Sequence, residues 1–507
     1  MLFVNKHKIT SPKTLSWMVI IYAIALQCIQ YMAKRSLWAD ESVLALNIVD
    51  RSYLELLEPL DYNQGAPIGF LWIEKLSIQL LGNHEYALRL FPFLCGIASI
   101  FLFYDLAKRC LKNYGVPIAL AFFATLEYLV YYTTELKQYS SDVAVTLILA
   151  LLTQDLLKRD LNFKNILTYS IIGAVMIWFS HPAVLVAGGF ALFSLIKVWR
   201  NRNFEKLPKL LSVFTTWGIS FLGFYFLSIQ SLSNNETLME SWRSAFPSEL
   251  TDINWLAEKW WKLFENPLGI REDYIWIAMM VFFIGVFSLF RRNRQTLAFL
   301  ASPLLATILA AYLRQYPFRN RLLLFLTPFI VLLIAEGIHY VGRKTRHKLK
   351  AIPGILLFGV LFWIPLFQTT ALFANPITRE EIRPVIAYVK EHQQPGDVLY
   401  IFQRGEYQFQ YYAEKFGYEE GDYIVGVDDL EDGKEVSPPE WERYTQDLNA
   451  LRGNSRVWLI FSHIDDVEEE RDRVLGYIDS LGQKRDRYDA PGAFVLLYDF
   501  TANDETP

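Results

Sequence analysis

Eleven apolar windows run through residues 1–373 of this chain, at about 15–33, 86–107, 115–132, 139–157, 166–180, 183–199, 210–230, 273–290, 296–313, 322–341 and 351–373. A helix of roughly 17–25 apolar residues crosses the hydrocarbon core of a bilayer, and a backbone there must bond within its own segment. This repetition restricts residues 1–373 to a bundle of membrane helices. The windows flanking Ser180-His181-Pro182 are equally read as one broken helix. No small-residue cleavage site follows the first window, so it reads as a retained helix and not a signal peptide.

Composition agrees. The chain is 53% hydrophobic and 16% aromatic, beyond an ordinary soluble protein. Its net charge of −4 conceals two opposed parts. Residues 376–507 hold 29 acids against 14 bases, whereas residues 1–375 hold 24 acids against 35 bases. The expected organisation is a membrane domain, 1–373, with a structured first outer loop, 34–85, followed by a soluble domain, 376–507. The basic residues sit in short clusters between apolar runs, which argues against nucleic-acid binding.

With the N-terminus inside, the inner segments are 1–14, 108–112, 158–164, 197–209, 291–294 and 342–350. They carry 22 Lys and Arg in 52 residues, against 12 in some 112 residues of outer loop. This is the positive-inside pattern. It places the tail outside. The cysteines Cys28, Cys95 and Cys110 all lie in or beside apolar runs and give no disulfide framework.

The outer polar residues complement one another. Asp40 and Glu41 follow the first window directly, in Ser36-Leu37-Trp38-Ala39-Asp40-Glu41. Acids at a membrane edge are costly and mark substrate or proton sites. The turn Glu135-Leu136-Lys137-Gln138-Tyr139 carries a lysine, Arg319 and Arg321 lie in another outer turn, and Arg89 begins the second window. One base with several cations suits transfer from a lipid phosphate: the base takes the acceptor proton and the cations hold the charge developing on the phosphate. Each residue also has a plainer reading. Asp40 suits a helix N-cap, Glu41 a helix-dipole partner, Lys137 a snorkelling interfacial charge, and Arg319 and Arg321 headgroup contacts. His181 and His463 read as structural.

In the first outer loop, residues 41–57 have the pattern of a helix lying in the membrane interface, and residues 70–81 of a second helix. The loop 231–272, with Trp242, Trp255, Trp260 and Trp261, reads as an anchored surface loop or as a sugar-stacking surface. The tail reads as α/β, with helices over 379–392, 406–416 and 468–481 and strands over 397–402, 456–463 and 493–500. It shows no Gly-rich phosphate loop.

The runs Trp38-Ala39-Asp40-Glu41, Tyr62-Asn63-Gln64-Gly65-Ala66-Pro67 and Gly82-Asn83-His84-Glu85-Tyr86-Ala87-Leu88-Arg89-Leu90-Phe91-Pro92, with Arg319-Asn320-Arg321 before Pro328, resemble a known superfamily. It is that of the dolichyl- or polyprenyl-phosphate-dependent glycosyltransferases, which includes protein O-mannosyltransferases and aminoarabinose transferases and has the GT-C fold. The resemblance covers residues 1 to about 373. It implies that Asp40 is the catalytic base and that Glu41 assists acceptor or sugar placement. It implies that basic residues of the two outer turns hold the lipid phosphate. Some members place a lysine before the proline of the first loop, where this chain has Gln64; Lys137, Arg319 or Arg321 is then the compensating ligand.

The expectation is a polytopic α-helical, GT-C-like membrane protein with about eleven transmembrane helices and a periplasmic α/β domain, in a bacterial plasma membrane. It moves a sugar, with inversion, from a polyprenyl phosphate to a hydroxyl of an envelope glycan, lipid or protein. Asp40 is the expected base; Glu41, Gln64, Arg89, Lys137, Tyr139, Arg319 and Arg321 are the expected substrate-binding residues. No organic cofactor is expected, and with scattered histidines and no HExxH pattern a divalent metal is compatible but not indicated. A flippase of lipid-linked glycans is the alternative, though it would need polar residues spread through the spans. A ligand sensor would need a cytoplasmic output domain, for which the longest inner loop is too short.

Overall fold

The computed structural model describes residues 11–344, 352–427, 436–464 and 468–501. The basic residues expected inside at 1–10 and 345–350 lie outside the described set. The chain forms two compact units: Met1–Ala33 with Arg51–Pro376, and Lys34–Asp50 with Ile377–Pro507.

Among the described residues of the larger unit, nine helices are long and apolar enough to cross a membrane. They are Pro12–Met32, Leu90–Cys110, Tyr139–Lys158, Ala183–Arg200, Leu207–Ser233, Glu272–Arg292, Arg294–Tyr312, Asn320–Arg343 and Ile352–Ala371. Two shorter apolar helices, Gly115–Ala124 and Phe163–Ile177, stand at the third and fifth windows. The third window breaks at Thr125 and resumes as Glu127–Tyr132. The stretch around His181 separates two helices and does not join one.

Asn320–Arg343 is the axis of this unit, with 94% of its apolar window buried. Its closest approach is to Glu272–Arg292. A Cβ at Gly285 would collide with the Leu333 carbonyl, and one at Gly337 with the Val281 carbonyl. Paired glycines let the two backbones touch, the small-residue packing that substitutes for a hydrophobic driving force between helices in lipid.

One expectation changes in the outer loops. Residues 41–57 do not form one interfacial helix. The helix is Ala39–Asp50, it belongs to the smaller unit, and Glu41 through Ile48 are all buried in protein. A 3₁₀ turn, Glu55–Leu57, follows in the larger unit. The tryptophan-rich loop contains the helix Ile253–Glu265, and Trp255 is packed against Tyr312 and Phe318.

Among its described residues the smaller unit holds a five-stranded mixed sheet, in the spatial order second, first, third, fifth and fourth strand. Its strands are β1 Val398–Ile401, β2 Ile424–Val425, β3 Val457–Ser462, β4 Gln483–Ala490 and β5 Ala493–Asp499. β1 pairs in parallel with β2 and β3; β5 pairs antiparallel with β3 and β4. Every residue of β3 is buried, as expected of a strand covered on both faces. One face packs the helices Pro438–Asn449 and Glu468–Leu481 through Tyr444, Leu448, Val474 and Ile478. The helix Ile382–His392 contacts β3, β4 and β5, and Glu406–Ala413 contacts Ala39–Asp50.

Candidate active site

The Asp40 segment is held residue by residue within the smaller unit. The Ser36 amide donates to both oxygens of Glu381, at 3.2 and 3.1 Å, and the Ser36 hydroxyl donates to the same carboxylate at 2.9 Å. The Leu37 amide donates to the Tyr412 hydroxyl at 2.9 Å. The Trp38 amide donates to Glu41 Oε2 at 3.4 Å, and the Ala39 amide to Glu380 Oε2 at 2.9 Å. Gln408 ties the network together, donating to the Leu37 carbonyl and to Glu380 Oε2. The Arg379 guanidinium lies 4.4 Å from the Trp38 ring centroid.

This network decides how the acidic pair divides. The Trp38 carbonyl accepts from the amides of Glu41 and Ser42, so Trp38 caps the helix and Asp40 sits in its first turn. Asp40 is therefore not the cap. Glu41 is fully buried and turned back onto the Trp38 amide, the return half of a capping box. Asp40 stays partly exposed. Its carboxylate stands at a helix N-terminus, where negative charge is favoured.

His463 extends the network. Its Nδ1 lies 2.7 Å from Glu380 Oε1, on the carboxylate that also holds Ala39. Burial alone would lower the His463 pKa. The hydrogen bond and charge of Glu380 outweigh that, Asp40 adds to them, and the imidazole titrates above its ordinary value. Its φ of 58° is uncommon for a residue with a side chain. From the sequence His463 reads only as a strand-end residue. The available signal is Glu380-Glu381, a second acidic pair just after the last apolar window.

In the larger unit, Lys137 Nζ donates to Gln64 Oε1 at 2.7 Å. Lys137 is buried, 5% exposed, so its ammonium is held and does not snorkel freely. The strap around it is dense. Gln138 donates to the Gly65 carbonyl, Ser140 to Pro92 and Ser141 to Phe179. The turn into Gln64 uses left-handed backbone at Tyr62 and Asn63. Tyr139, two residues beyond Lys137, stacks edgewise on Tyr132 and receives the Arg321 guanidinium at 5.5 Å. Left-handed Asn320 separates Arg321 from Arg319, a conformation asparagine tolerates. Arg319 is exposed and donates to the Ser241 carbonyl at 3.2 Å. It lines a cavity of about 160 Å³ together with Lys259, Lys262 and Asn320. Lys259 and Lys262 do not stand out in the sequence, because the tryptophans dominate that loop.

The structure thus joins Gln64 to Lys137 and Arg321 to Tyr139, and sets Arg319 at a basic cavity. Arg89 is buried at the head of the Leu90–Cys110 helix, beside the Tyr31 phenol. Among the described residues no group of three or more His, Cys, Asp or Glu is placed to hold a metal ion.

Residues 65–222 match the family model for dolichyl-phosphate-mannose-protein mannosyltransferases. No curated protein sequence matches the chain. Among solved structures, ArnT from Cupriavidus metallidurans bound to undecaprenyl phosphate aligns with a TM-score of 0.53 at 12% identity, covering 97% of this chain and 99% of that one. The Archaeoglobus fulgidus oligosaccharyltransferase, solved with zinc and sulfate, aligns with a TM-score of 0.53 at 10% identity, covering 96% of this chain and 73% of that one. A structure of the archaeal oligosaccharyltransferase AglB from the same organism, with an inhibitory peptide and a dolichol phosphate, aligns at 0.51 and 9% identity, covering 98% of this chain and 75% of that one. These alignments give the chain its GT-C-like fold, and its residues 65–222 are similar to a family of glycosyltransferases.

Proposed function

We propose that this chain is a glycosyltransferase that moves a sugar from a polyprenyl phosphate to a hydroxyl of an envelope glycan, lipid or protein, with inversion, at the outer face of a bacterial plasma membrane. Asp40 accepts the acceptor's hydroxyl proton as that oxygen attacks the anomeric carbon. The bond from the anomeric carbon to the phosphate oxygen breaks, and its electron pair leaves on the polyprenyl phosphate. Lys137, Arg319 and Arg321 bind that phosphate, with Gln64 orienting Lys137 and Tyr139 orienting Arg321. Glu41 fixes the start of the Asp40 helix, and Arg89 supports the second span.

The observation that carries the base assignment is the four successive amides, at residues 36–39, each held by a side-chain oxygen, while the next side chain stays partly exposed. Such fixing of backbone around one carboxylate is the preorganisation that a catalytic base requires. The bound lipid phosphates of ArnT and AglB support the donor class, and the charge pattern of the loops supports the outer face.

Mass spectrometry of cells lacking the protein tests the whole reading. One lipid-linked sugar should accumulate while one envelope modification disappears. Unchanged pools of both would contradict it.

A further inference from the structure

The helix pair Glu272–Arg292 and Asn320–Arg343 ends in a second polar site. It lies far from Arg319 and Arg321, since the helix between Thr327 and Arg343 rises about 24 Å at 1.5 Å per residue. A cavity of about 340 Å³ opens there, lined by Ser288, Arg291, Arg292, Glu336, His339 and Arg343, with Tyr340.

Its lining carries more positive charge than negative. Glu336 is 2% exposed and has a donor on each oxygen: the Ser288 hydroxyl at 2.6 Å and Arg292 Nη2 at 3.1 Å. One carboxylate thus shares the cavity wall with three guanidiniums. Two buried nitrogens of lining residues, Arg292 Nη1 and His339 Nε2, have no hydrogen-bond partner among the described residues. His339 is 9% exposed. A buried polar atom left without a partner costs about 1–3 kcal/mol. A solvated basic rim would leave its nitrogens in water. These two are enclosed beside a cavity large enough for a polar guest, since one liquid water occupies about 30 Å³.

We propose that this cavity binds a phosphate group, clamped by Arg291, Arg292 and Arg343, with His339 also in its lining. Planar guanidiniums match phosphate oxygens in pairs. The group can come from the headgroup of an anionic phospholipid, since the site lies at the end of membrane helices, or from soluble phosphate. It is separate from the donor-phosphate residues, and it stands or falls independently of the sugar transferred.

The test uses the full-length protein, delipidated in detergent, and native mass spectrometry with phosphatidylglycerol as probe. Arg291 and Arg343 are exposed, so Arg291→Gln with Arg343→Gln should fold normally. Loss of two charge-assisted contacts should weaken retention by at least about tenfold. Competition by millimolar inorganic phosphate in the wild type would assign the site to soluble phosphate. Insensitivity to it would assign the site to lipid. His339→Phe, tested in parallel, should weaken whichever probe binds. Equal retention of phosphatidylglycerol by wild type and both variants, with no thermal shift on adding inorganic phosphate, overturns the proposal.

Discussion

At the scale of single residues, Gln64 stands where the resemblance leads one to expect a lysine, and we propose that Lys137 takes that role. The 2.7 Å contact between them sets the Lys137 ammonium against the Gln64 side chain. A hydrogen bond to a charged group contributes about 1.5–3 kcal/mol, so Lys137→Gln should raise the donor KM roughly 10- to 100-fold. Gln64→Lys combined with Lys137→Gln exchanges the partners and should recover most of that loss, as donor titrations of the three proteins will show. The Glu380–His463 pair makes a second prediction. The folded protein holds the His463 pKa above its ordinary value, so protonated His463 favours the fold. That contribution is complete below the unfolded value of about 6.5 and is lost as pH rises through the higher folded value. Thermal unfolding of wild type and His463→Gln should therefore differ most at mildly acidic pH and converge in alkali. A constant difference would mean that the imidazole acts by packing alone. In turnover, Glu380→Gln should lower kcat and leave the donor KM unchanged, because it loosens Ala39 without touching the donor residues.

At the scale of elements, the Gly285–Gly337 contact sets how closely two helices of the larger unit pack. Overpacking costs about 1–3 kcal/mol, and here the collision is with carbonyl backbone that cannot rotate away. Gly285→Leu or Gly337→Leu should lower the unfolding temperature in detergent and reduce the yield of monodisperse protein, whereas Gly359→Leu, where nothing lies within 4 Å, should not. Most of these elements are legible in the sequence. Apolar windows mark the spans because lipid forbids any other backbone, and β1, β3 and β5 announce themselves as short apolar runs. β4 does not. It is an edge strand of Lys, Arg and Asp, charged as edges tend to be, and so has no apolar alternation. The helix Pro438–Asn449 is hidden too, because Pro438-Pro439 reads as a break. In the structure the prolines begin the helix behind a Ser437–Glu440 capping box. The Asp40 helix is legible as a helix but not in its place. Its apolar residues fit a membrane surface as well as the helix Glu406–Ala413, and periodicity alone cannot name the partner.

At the scale of the whole molecule, the chain builds its smaller unit from two segments more than 300 residues apart in sequence, Lys34–Asp50 and Ile377–Pro507. No local pattern encodes that, because Glu380, Glu381, Gln408 and Tyr412 each look like ordinary polar residues of the tail. Together they make the tail a holder for the backbone that carries Asp40. Hydrogen exchange at residues 36–39 should therefore quicken in Glu380→Gln combined with Tyr412→Phe, while exchange in the helix Leu90–Cys110 stays unchanged. All of this converges on one carboxylate. General-base catalysis contributes about 10²- to 10⁴-fold, so purified Asp40→Asn, assayed with the native lipid-linked donor, should lose at least about a hundredfold in turnover while unfolding at the wild-type temperature and binding donor normally. Turnover of Asp40→Asn near the wild-type rate would contradict the account.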